Sequence, residues 1–249
     1  MHAFPPQAFL VGLSSVYWRE AWKYGERAFR YCQHDAGHAV GALRIAAATL
    51  GWSAVVLNDL ADDTIEDLLV LNRAEDFADA EREQPELVIL VWLAEAAGPT
   101  DAGAPRSLPL GLDPRLVRTI AKKQAWCGRA NRLSRDDPVV WTVIDEVALA
   151  SRKPVGEHGA LELLDSPAPA HDDNAARPDG PPAGQIIRQR RSLLACDGRT
   201  SISAERFYAM LGRVKPHVEL EPNRRPMPWD GIAWSRASTS RCSSIGSTD

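Results

Sequence analysis

Apolar and polar positions alternate along this chain in blocks that predict an ordered first part. Residues Ser15–Tyr31 mix aromatic and charged side chains and read as helical or partly irregular. The strongest helical signal follows, Asp35–Leu50, where AVGALRIAAATL places small and aliphatic residues on nearly every side. Asp35 is placed to cap its start, and Gly51 stands where a C-terminal cap belongs. A helix apolar all round is expected to be buried, in a core or against another subunit. Ser53–Leu57 reads as a short strand and Asp63–Asn72 as an amphipathic helix. The run Glu86–Ala94, containing LVILVWL, reads as a buried strand. This helix–strand–helix–strand order predicts an α+β fold, with a small sheet flanked by helices around a long buried central helix.

Further along, 98–112 is a Gly- and Pro-rich loop, while Pro114–Lys123 and Val140–Ser151 read as helices. Composition then changes. The stretch SPAPAHDDNAARPDGPPAG, 166–184, has no large apolar residue and reads as a linker. An ordered-looking block resumes at Gln185, with a helix starting at Ser203 that has Phe207, Tyr208 and Leu211 to bury. From Ser235 to Asp249 the tail SRASTSRCSSIGSTD offers neither stripe nor strand. Back-translated with GC-rich codons and read in another frame, it yields IHLALFV, so a frameshift after Trp234 is expected.

The net charge of −4, from 29 basic and 33 acidic residues, speaks against a nucleic-acid binder. Cys32, Cys127, Cys196 and Cys242 form no CxxC pair and read as reduced thiols. The opening MHAFPPQAFLVGL lacks a basic segment and is broken by Pro5 and Pro6, so neither a signal peptide nor a membrane span is expected. A cytoplasmic protein follows.

Two clusters carry candidate chemistry. Arg188, Arg190 and Arg191 precede Ser192, and forked guanidiniums beside a hydroxyl suit a phosphate. Taken from spacing alone, such a cluster is more often a solvated basic helix. His34 and His38 stand i, i+4 apart, but no third ligand lies at a suitable spacing and Gly37 weakens the helix, so no metal is expected.

The blocks WKYGERAFRYCQHDAGHAVGALRIAAATLGW and NRLSRDDPVVWTVIDEVALASRKP resemble the SagB-type, azoline-oxidase branch of the nitroreductase-like flavoprotein family. IIRQRRSLLACDGRTSISAERFYAML resembles the start of a nitroreductase domain. The resemblance spans about two thirds of the chain, each motif being loose by itself. It implies a nitroreductase-like fold that holds FMN, with Arg190, Arg191 and Ser192 on the phosphate and ribityl chain. Lys23 and Tyr24 match a Lys-Tyr pair serving proton transfer beside the flavin. A buried lysine can be tuned for that work. The Ala-rich helix matches a central helix at a homodimer core. A small-molecule or peptide substrate is implied, with NAD(P)H a further candidate electron donor. The order of motifs departs from the family, since the central helix precedes the Arg-Arg-Ser element. A truncated tandem is therefore expected, with 1–165 the end of one domain, 166–184 a linker and 185–249 the start of a second. The alternative is a non-catalytic remnant or dimerising scaffold without flavin.

Overall fold

A computed structural model describes residues 4–5, 7–78, 80–93, 106–107, 112–132, 139–154, 162–163, 180–192, 194–216 and 225–232. Most of the expected linker and the whole tail 235–249, with its expected frameshift, lie outside the described residues, as does most of the loop 98–112.

The architecture is α+β. Three strands, β1 (Phe9–Ser15), β2 (Trp52–Val56) and β3 (Gln84–Leu93), form an antiparallel sheet in the order β1-β3-β2. Phe9 lies opposite Val91 and Ser15 opposite Gln84, with an irregularity between Leu13 and Ser14. Trp52 lies opposite Leu93 and Val56 opposite Ile89 on the other side of β3. From Leu87 to Leu93 strand β3 is an unbroken apolar run, covered on both faces. Successive side chains point to opposite faces, so Val88 and Leu90 meet Val55, Leu57, Leu60 and Ile65. Ile89 and Val91 meet Val40, Ala47, Ala54 and Val56. The sheet thus separates two helices: α2 (Ala28–Thr49) on one face and α3 (Asp62–Leu69) on the other. A third cluster, Tyr17, Ala21, Ala28, Cys32 and Ile144, joins α1 (Tyr17–Tyr24) and α2 to α6 (Thr142–Ala150).

Two expectations are corrected, and one strand has no counterpart among them. That strand is β1, since Phe9–Ser15 pairs along β3. Its Gly12 lets Leu69 of α3 approach so closely that any Cβ there would collide with it. Asp35 is not a cap, because α2 begins at Ala28. Ala28 and Cys32, one turn apart on the side facing Tyr17 and Ile144, extend the helix through the polar stretch before Asp35. Gly51, by contrast, follows the helix at φ +73°, a left-handed conformation that costs glycine little, and its N–H donates to the Ala48 carbonyl at 3.1 Å. Finally, α2 is not buried all round within this chain. Val40, Arg44 and Ala47 are buried, whereas Ala42, Ile45, Ala46 and Leu50 are exposed.

The short helix α4 (Ala74–Phe77) seats Phe77 in the interior. A two-residue ladder pairs β4 (Arg106–Ser107) with β5 (Glu162–Leu163). Helix α5 (Pro114–Lys123) has the expected bounds: Asp113 accepts from the Arg115 N–H at 2.8 Å, and Pro114 occupies the first turn. Helix α7 (Ala183–Gln189) and α8 (Ala204–Arg213) follow, and Ser203 caps α8 by accepting from the Arg206 N–H at 3.2 Å. The segment 225–232 returns to the sheet, its 3-10 turn Trp229–Gly231 lying against α2 and β2. Arg44 of α2 donates to Asp230 there at 2.5 Å, and both side chains are about nine-tenths buried. No helix among the described residues is long and apolar enough to cross a membrane.

Candidate functional site

Helix α1 buries Tyr17 and Ala21, one turn apart, and so directs its remaining residues outward. It stops at Gly25, which adopts φ 59° and ψ −139°, and whose missing Cβ leaves room for the Trp141 indole. Neighbouring residues on a regular helix diverge by about 100°. At this break they converge instead. The Lys23 Nζ lies over the Tyr24 ring, 5.1 Å from its centroid, and Tyr24 stacks on Tyr31 at 4.3 Å. Lys23 is exposed rather than buried.

Arg190 is the residue that closes α7, and Arg191 turns its guanidinium back onto that helix end. Its Nη1 donates to the carbonyls of Arg188 at 2.9 Å and Arg190 at 2.8 Å. A cation on the last carbonyls of a helix is favourable there and leaves fewer donors for a phosphate. Arg190, Arg191 and Ser192 are all exposed. Among the described residues no hydrogen bond or ion pair joins them to Lys23 or Tyr24. His34 and His38 are exposed on α2, and the described residues contain no group of three side chains suited to a metal ion.

A different place gathers polar groups. A cleft of about 240 Å³ opens between α1, α2, the start of β3 and the end of α6. Glu86 lies in it, receiving Gln33 Nε2 at 3.1 Å on one oxygen and 2.8 Å on the other. Burial raises the pKa of the Glu86 carboxyl, hydrogen bonds from Ser15 and Gln33 oppose this, and the Asp62 charge adds to the rise. Burial likewise raises Tyr17, with Glu86 adding. It pushes the Cys32 thiol up to about 11, against a hydrogen bond from Ser15. Arg152, at the cleft wall, is bound to Glu66 at 2.8 Å and Asp63 at 2.5 Å. The same turn is tied to α3 through its backbone: the Lys153 N–H donates to Asp62 Oδ2 at 3.0 Å, and the Asp62 N–H to the Lys153 carbonyl at 3.2 Å.

No family model, curated protein or solved structure matches this chain.

The resemblance singles out Lys23 and Tyr24 but not Glu86. That residue heads an apolar run, and its partners Ser15 and Gln33 lie on other elements. An acid at the edge of a buried strand was the one signal present.

Proposed function

We propose that this chain serves FMN-dependent oxidoreduction of the nitroreductase-like, SagB-type kind, with Lys23 and Tyr24 facing the reacting molecule. The observation that carries this reading is the Lys23 amine lying over the Tyr24 ring beside the Gly25 break, which keeps the two side chains neighbours. An amine and a phenol in one neighbourhood are suited to holding and moving a proton. The reading requires the Arg191 guanidinium to leave the helix end and Arg190, Arg191 and Ser192 to reach Lys23 and Tyr24, within one chain or between two copies. The substrate, a small molecule or a peptide, and NAD(P)H as electron donor belong to the same proposal.

The test is FMN titration of the whole chain, followed by flavin absorbance and fluorescence. Binding is expected, and Arg191→Ala should weaken it about tenfold or more, the loss of a charge-assisted bond costing about 1.5–3 kcal/mol. Lys23→Ala should leave flavin bound and lower turnover about a hundredfold. Protein that takes up no FMN would overturn this reading. It would favour a second one, a dimerising scaffold without flavin, which the inward-turned Arg191 and the open face of α2 support. Light scattering would then have to show a dimer.

A further inference from the structure

Glu86 is a half-buried carboxylate whose described hydrogen-bond partners are the side chains of Gln33 and Ser15, both neutral. Among the described residues it makes no ion pair. A carboxylate withdrawn from water is costly unless a cation compensates it. The guanidinium that borders the cleft is not free to do so, since Arg152 is bound to both Glu66 and Asp63. Lys153 stands exposed at the rim, where water screens its charge. A second carboxylate, Asp62, lines the same cleft, one of its oxygens accepting from a backbone N–H. The same lining carries apolar surface. Tyr17 and Phe29 meet edge to face at 5.5 Å, with Ala148 beside them. Two acids against aromatic rings select a cation with a hydrocarbon body, because rings attract cations and shed water from alkyl or aryl groups. The volume, about 240 Å³, suits a small molecule.

We propose that this cleft binds a small organic amine, its ammonium group paired with Glu86 and its hydrocarbon part laid against Tyr17 and Phe29. The site is separate from Lys23 and Tyr24 and does not depend on the flavin reading.

Benzylamine and its neutral counterpart benzyl alcohol are the probes, titrated into the ¹⁵N-labelled full chain while the side-chain amide of Gln33 is followed by NMR. Benzylamine is expected to shift that signal and to saturate. Benzyl alcohol should bind at least tenfold more weakly. Glu86→Gln retains an acceptor for Gln33 and removes the charge, so it should weaken benzylamine at least tenfold. Ser151→Arg, at an exposed position of the cleft wall, should do the same by supplying a resident cation, and it carries the test if Glu86→Gln fails to fold. Equal binding of the two probes, or undiminished benzylamine binding by the folded variants, would overturn the proposal.

Discussion

Helices α3 and α5 and helices α7 and α8 carry the same kind of pattern, apolar positions on one side and polar ones on the other, and they come to different ends. Ile65 of α3 and Val117 of α5 are pressed into the interior, 3% and 6% exposed. Ile186 and Ile187 of α7, and Phe207 and Leu211 of α8, remain about half exposed. The difference is the sheet. Strand β3 offers an apolar face for α3 to cover, and α5 then packs on α3. Helices α7 and α8 are shorter than the roughly 12–15 residues at which an isolated helix becomes stable in water. At α8 the helix has the Ser203 cap at its start and the Trp229 indole donating to the Arg213 carbonyl at its end, 3.1 Å away, and neither covers its apolar side. An apolar stripe is therefore a capacity for burial, and what it contributes depends on the surface it finds.

The largest break in this contrast should come from β3. Leu90 is fully buried between the two strands and α3, and Leu90→Ala should cost about 2–5 kcal/mol through lost burial and a cavity. Urea unfolding followed by circular dichroism would measure it; a cost below about 1 kcal/mol would mean the sheet is not the centre of stability. Arg44→Ala should come next, at about 3 kcal/mol, because it leaves the Asp230 carboxylate buried without its partner. A midpoint equal to wild type would show that the segment 225–232 is dispensable. The smallest change is expected in α7: Ile187→Ala should stay within about 0.5 kcal/mol, as at other surface positions. A cost comparable to that of Leu90→Ala would erase the comparison.

What could be read from the sequence follows the same line. Where the cause is local, the residues declare it: Asp113 and Pro114 open α5, Gly51 closes α2, and the run LVILVWL lies in a strand covered on both faces. Where the cause is a partner far along the chain, they do not. FLVGLSS becomes β1 only because β3 lies beside it, and nothing within those seven residues specifies that pairing. The Ala-rich face of α2 misled for another reason. Alanine removes little area from water when covered, so Ala42 and Ala46 tolerate exposure that a leucine stripe would not. The end of α1 beside Lys23 and Tyr24 has a local cause, Gly25, a residue suited to ending a helix in an unusual conformation. The Glu86 cleft was not legible, because its polar groups come from five separate stretches of chain.

The strand order β1-β3-β2 also fixes a timetable. The middle strand is the last of the three to be synthesised, and β1 and β2 have no backbone bonds to each other without it. At a ribosomal rate of about 5–20 residues per second, β1 waits about 4–16 s after its own completion before Leu93 is made. During that interval Phe9–Leu13 is an unpaired apolar segment open to chaperones or to another nascent chain, and its release from that hazard comes in one step, when β3 emerges.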